Sequence, residues 1–195
     1  MIIVLSHPEE IENESSIINQ LFEAGLPIFH LRKPNTTEQE VKTMLEQIKP
    51  EYRERVVLNQ FYHLSEEFGI HRFHFSTDRR NKGEHTNWKK EGNVLSTSTH
   101  SEAELNNIEA FDYAFLSPVF ESITKPGYKN EALQFTASPL RKQKIIALGG
   151  INADHCAELK ERGFDGIGIL GAIWQSEHPV ESYKKIANEW NTHDQ

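Results

Sequence analysis

Short apolar or β-branched runs return along this chain with helical segments between them, and that alternation constrains its fold more than any other feature. The runs are IIVL (2–5), PIFHL (27–31), VVL (56–58), RFHF (72–75), NVLSTS (93–98), YAFLS (113–117), KIIAL (144–148) and GIGIL (166–170). Each has the length and residue type of a buried strand. Between them, Ile18, Leu21 and Phe22 precede Gly25, and Val41, Met44, Leu45 and Ile48 precede Pro50. These stripes suit helices laid over a sheet. Leu64 and Phe68 before Gly69 predict a third helix. Asn152 caps a fourth running to Gly163, and Val180, Tyr183, Ile186, Ala187 and Trp190 mark the last.

Strands and helices that alternate every ~20 to 30 residues predict repeated βα units and a parallel sheet. Eight units predict a closed (β/α)₈ TIM barrel of the α/β class, short and compact, filling residues 1–195 as a single domain. An open doubly wound sheet is the structural alternative. The polar stretch RRNKGEHTNWKKEG (79–92) is where a degenerate helix is expected.

The charge balance narrows the partners. With 29 acidic against 21 basic residues and a net charge of −8, neither a nucleic acid nor an acidic membrane surface is the expected partner. Cys156 has no second cysteine to bond, the start MIIVLSHPEE lacks a basic leader, and no run approaches the ~18 apolar residues of a membrane span. A cytoplasmic protein is expected.

The stretch GIGILG (166–171) fits the G-x-G-x-x-G pattern of dinucleotide-binding turns. Such a unit needs a helix and a second strand within ~30 residues, and an acid ~20 residues on. One helical stripe and no strand follow Gly171, so these glycines have other work. Upstream, ALGGIN (147–152) ends the seventh run with Gly149 and Gly150. In barrels of this kind the loops after strands 7 and 8 commonly hold a phosphate on backbone N–H groups. Gly149, Gly150, Gly168, Leu170 and Gly171 are the candidates here; the alternative is that the glycines relieve crowding at a barrel corner.

Polar residues at the ends of the other runs follow the same logic. His30 and Arg32 share parity at the end of the second, so both can face the mouth. Asn59 ends the third, and Ser96, Ser98 and His100 alternate after the fifth. The sixth opens into SPVFESITKPG (117–127), where Ser122, Thr124 and Lys125 are expected to close over a polyanion. His71 and His74 fall on opposite faces of the fourth run, which argues against a zinc site. Cys156 reads as a small buried group.

Taken in order, HLRK (30–33), VVLN (56–59), STSTHS (96–101), SPVFESITKPG (117–127), ALGGI (147–151) and FDGIGILGAI (164–173) resemble the thiamin phosphate synthase and TenI superfamily over most of the chain. The resemblance implies a (β/α)₈ barrel, usually oligomeric, holding a thiazole phosphate at its glycine-rich end. In the synthase branch, an aminopyrimidine methyl pyrophosphate ionises and the thiazole nitrogen captures the carbocation, with Mg²⁺ and cationic groups stabilising the departing pyrophosphate. In the TenI branch, a thiazole phosphate tautomer is aromatised by proton transfer without metal.

By the same resemblance, Arg32 is the pyrophosphate Arg, Asn59 the strand-three Asn, Lys125 the loop Lys and Ser98 the serine beside the pyrimidine. Gly150, Gly168, Leu170 and Gly171 fall at the thiazole phosphate. His100 matches the TenI proton-shuttle histidine, and an imidazole suits a two-way transfer. The departures lie at the metal. Gln60 stands where synthases carry a metal Asp, Asp78 matches the second only by a shift of one place, and Pro34 replaces a Lys, with Lys33 a displaced substitute. These losses favour a TenI-like tautomerase without cofactor. An Mg²⁺-dependent synthase that uses Asp78 is the first alternative, and a catalytically silent thiamin phosphate binder is the second.

Overall fold

A computed structural model describes residues 1–120, 135 and 142–192. Eight parallel strands follow one another around a closed barrel: β1 (Ile2–Leu5), β2 (Ile28–Leu31), β3 (Val56–Leu58), β4 (Arg72–Phe75), β5 (Val94–Thr99), β6 (Tyr113–Leu116), β7 (Lys144–Leu148) and β8 (Gly166–Ile169). The seam closes where Ile2, Ile3 and Val4 pair with Ile167, Gly168 and Ile169, which excludes the open sheet. The helices are α1 (Glu14–Glu23), α2 (Glu38–Gln47), α3 (Leu64–Phe68), α4 (Thr77–Asn81), α5 (Cys156–Glu161), α6 (Gly171–Trp174) and α7 (Pro179–Thr192). Among the described residues no helix is long and apolar enough to cross a membrane.

The barrel is compressed by shortening its helices. A capping box between Thr37 and Glu40 starts α2, and Gly69, at φ 66°, ends the five-residue α3. The degenerate segment after β4 is α4 followed by a single 3₁₀ turn over Glu84–Trp88. Aromatic rings cover the sheet where a full helix is missing: Trp88 and Tyr62 lie 4.6 and 5.9 Å from the Phe73 ring.

Strand alternation divides the core in two. Ile3, Leu5, Ile28, Val57, Tyr113, Phe115 and Ile146 fill the barrel. Val4, Phe29, Leu58, Phe73 and Ile167 point outward against Leu21, Phe22, Val41, Leu45 and Trp190 of the helices. Each such side chain contributes about 1.5–3 kcal/mol by leaving water.

Gly168 belongs to the inner layer. A Cβ there would stand 3.0 Å from Leu148 Cδ1 and Phe115 Cε1 and 3.4 Å from Leu5 Cδ1. A side chain at this position would press on those three groups, so packing inside the barrel also calls for a glycine here. Gly168→Ala is expected to destabilise the fold by about 1–3 kcal/mol through overpacking. Urea unfolding checks this, and an unchanged midpoint would show that Phe115 and Leu148 give way freely.

Candidate active site

Because all eight strands are parallel, their C-terminal ends gather the candidate residues at one mouth. Arg32 is exposed just past β2. Its backbone is clasped by the buried Ser6, whose Oγ accepts from the Arg32 N–H at 2.7 Å and donates to the Arg32 carbonyl at 2.8 Å. Among the described residues its guanidinium has no ion-pair partner. The charge therefore acts on the mouth itself, where it helps lower the basicity of His74.

His74 sits beneath the rim, with Nδ1 3.0 Å from Ser96 Oγ and Nε2 3.0 Å from Ser98 Oγ. Burial first, and Arg32 second, push its pKa down to about 3, so the ring is neutral. Ser96 donates its hydroxyl to the Phe73 carbonyl at 3.3 Å, so it accepts from His74 Nδ1–H. That leaves Nε2 to accept from Ser98. The Ser98 hydroxyl is thus turned inward, and its oxygen lone pairs face the mouth.

His100 is exposed at the end of the same strand. Its Nδ1–H donates to the Ser117 carbonyl at 3.0 Å, which leaves the Nε2 lone pair of the neutral ring as a proton acceptor. The strand end is braced from outside. The buried Arg80 donates to the Ser98 carbonyl at 2.7 Å and pairs with Glu104 at 2.6 Å, and Glu104 accepts from the His100 N–H at 3.3 Å. Nothing local marks Arg80 and Glu104 as site residues; their partners are reached only through the fold.

His30 lies deeper than expected. It is fully buried inside the barrel with Nε2 2.7 Å from the Tyr113 hydroxyl, so it does not reach the rim with Arg32. Lys33 is corrected outright. It points out of the barrel, buried, donating to Glu14 at 2.5 Å and to the Glu9 carbonyl at 2.7 Å. Both residues follow the end of β2, and there the chain turns the Lys33 side chain toward Glu14 at the start of α1.

The expected Mg²⁺ ligands do not form a carboxylate cage. Gln60 donates from Nε2 to the Lys33 carbonyl at 2.7 Å, a role that a carboxylate could not fill. Asp78 is exposed in the first turn of α4 and paired with Lys82 at 2.7 Å. Among the described residues no three His, Cys, Asp or Glu side chains gather as a metal site. The donor set present thus lacks the acidic oxygens that hold a hard cation.

The glycine loops divide between packing and turning. A Cβ on Gly149 would meet Pro118 at 2.9 Å, so this glycine admits the chain leaving β6. Gly150, at φ 64°, is the exposed turn before Asn152. Leu170 and Gly171 open α6 at the end of β8, and a Cβ on Gly171 would first meet Gln175, at 3.6 Å. The expected roles of Ser122, Thr124 and Lys125 fall outside the described residues. Buried Cys156 has its pKa raised to about 11, chiefly by burial, and is no nucleophile.

Fold and mouth together define a (β/α)₈ barrel with a cation, an amide, a hydroxyl and an imidazole around one opening. Residues 1–173 match the family model described as thiamine monophosphate synthase, and the chain belongs to that family. It is similar to the thiamine-phosphate synthase of Bacteroides fragilis strain YCH46, 24% identical over 94% of this chain and 97% of the relative. A second similar protein, the thiamine-phosphate synthase of Oceanobacillus iheyensis, is 28% identical over 47% of each chain. Among solved structures, thiamine phosphate pyrophosphorylase from Bacteroides thetaiotaomicron superposes with a TM-score of 0.78 at 29% identity, covering 100% of this chain and 99% of that one. These names favour the synthase alternative over the tautomerase expected from the sequence.

Proposed function

We propose that the chain is a cytoplasmic, single-domain thiamine-phosphate synthase, joining an aminopyrimidine methyl pyrophosphate to a thiazole phosphate. The observation that carries this reading is the Arg32 guanidinium, without an ion-pair partner among the described residues, at the mouth of a barrel whose near-full-length relatives bear the synthase name. As the methylene carbon–oxygen bond breaks, charge grows on the departing pyrophosphate. Arg32 and the Asn59 amide meet it, with Lys125, Ser122 and Thr124 as further donors. Ser98 offers oxygen lone pairs to a ligand N–H or to the electron-poor methylene carbon. The thiazole nitrogen then forms the new carbon–nitrogen bond, its phosphate held beside Gly150, Leu170 and Gly171. No carboxylate pair at Gln60 and Asp78 supports a resident Mg²⁺, so pyrophosphate recognition falls to these side chains.

One observation favours a tautomerase as the second reading: Nε2 of His100 is an exposed proton acceptor held in a fixed orientation. Incubating the purified protein with both substrates and Mg²⁺ separates the readings. The expected result is stoichiometric release of pyrophosphate with formation of thiamin phosphate. Aromatisation of the thiazole tautomer without condensation would replace the synthase by the tautomerase, and neither reaction would leave a silent binder.

A further inference from the structure

The interior of the barrel contains two buried polar atoms that look like errors until they are considered together. His30 Nδ1 and Asn59 Oδ1 are both buried, and neither has a well-formed hydrogen bond. An orphaned polar atom costs about 1–3 kcal/mol, so two adjacent ones call for an explanation. Asn59 nevertheless acts on His30 as a hydrogen-bond partner, raising its basicity against the effect of burial. The geometry is compatible, because His30 pairs with Val57 and Asn59 follows two residues on along the neighbouring strand's path, and the two orphaned atoms are chemically complementary.

Which half carries the hydrogen follows from the other side of the ring. His30 is neutral, because burial first and His74 second drive its pKa well down. Burial likewise raises the Tyr113 phenol above its usual range and keeps its hydrogen in place. The imidazole therefore has one donor and one acceptor nitrogen. If Nε2 carried the hydrogen, Nδ1 would set a bare lone pair against the Asn59 carbonyl oxygen, and both would stay unsatisfied. If Tyr113 donates to Nε2 across 2.7 Å, Nδ1–H points to Asn59 and satisfies both atoms.

We propose that His30 is a positioning residue: Tyr113 fixes its tautomer, and its Nδ1–H holds the oxygen of Asn59, so that the Asn59 amino group is turned toward the barrel mouth. Asn59 as a whole is only half-buried although its oxygen is inaccessible, which leaves the amino end on the open side. The rim then reads as a fixed pattern. Asn59 presents donors, Ser98 presents an acceptor through the neutral His74, and Arg32 adds a positive charge. A pyrophosphate oxygen suits the Asn59 side and a ligand N–H suits Ser98. The use of this polarity rests on the synthase reading; the polarity itself does not.

Two measurements test it separately. Long-range proton–nitrogen NMR on histidine-labelled protein reads the tautomer of His30, its signal assigned by loss in His30→Gln. Expected is a neutral ring with the hydrogen on Nδ1 from pH 5 to 8; a hydrogen on Nε2 overturns the proposal. Calorimetry with inorganic pyrophosphate reads the consequence. His30→Leu is expected to weaken binding about tenfold. His30→Gln, whose carbonyl accepts from Tyr113 while its amide donates to Asn59, should stay within about twofold of wild type. Equal weakening by Leu and Gln would reduce His30 to a space-filling role and overturn the proposal. Wild-type protein that binds no pyrophosphate would sink the synthase reading, while the tautomer still judges the positioning role.

Discussion

Lys33→Met is expected to destabilise the protein by about 3–5 kcal/mol at neutral pH. The cause is the carboxylate left behind. Glu14 and Lys33 are 3% and 5% exposed and bonded at 2.5 Å, so removing the ammonium strands a charge away from water. Burial already raises the Glu14 pKa above its ordinary value, against the opposing bond and charge of Lys33. Without Lys33 it rises further. A group whose folded-state pKa exceeds its unfolded value takes up its proton first in the folded state, so acidification favours the fold. The penalty should therefore be full above the raised pKa and shrink as pH falls through it. Urea unfolding at pH 7.5 and pH 5 checks this, and an equal loss at both would show that the charge is not the cause. Removing both partners, as Glu14→Leu with Lys33→Met, should restore most of the stability.

Arg32→Met should do the opposite, leaving the fold intact and the reaction crippled. The Ser6 clasp holds the Arg32 main chain and needs nothing from its side chain, so the melting temperature should hardly move. If the guanidinium meets charge on the departing pyrophosphate, its loss lowers kcat/KM by about 10² to 10³. His74 stays neutral in the variant, because burial outweighs Arg32 among the causes of its lowered pKa. The loss is thus not an indirect change of ionisation. Steady-state kinetics decide the matter, and a variant within threefold of wild type would remove Arg32 from the reaction.

The sequence revealed the barrel because a strand announces itself locally. IIVL, VVL and KIIAL each carry their own evidence of burial, and repetition of the unit supplies the topology. It singled out Arg32, Asn59, Ser98 and His100 as candidates for a related reason: each stands at or near the end of a strand. Lys33 was misread because it lies past the end of β2, and its partner Glu14 at the start of α1 is reached only through the fold. Gly149 and Gly168 answer to a second demand that the sequence hides. Their need to lack a side chain comes from Pro118, Phe115 and Leu148 on neighbouring strands, and contacts across strands leave no mark on the local pattern. His30 and Tyr113 escaped in the same way, since two polar residues inside apolar runs show neither their depth nor their pairing.

The Trp174 indole donates to the Leu5 carbonyl at 2.6 Å, across the seam where the eighth strand meets the first. β1 must therefore wait for a group 169 residues further along the chain. Until β8 is in place, β1 keeps an open edge, exposed to any passing chain that can offer a strand. Strands adjacent in sequence make seven of the eight pairings, but the eighth joins β1 to β8 across all the strands between them and sets a slow step. Changes at this indole should be felt in the yield of folded protein before they are felt at the mouth.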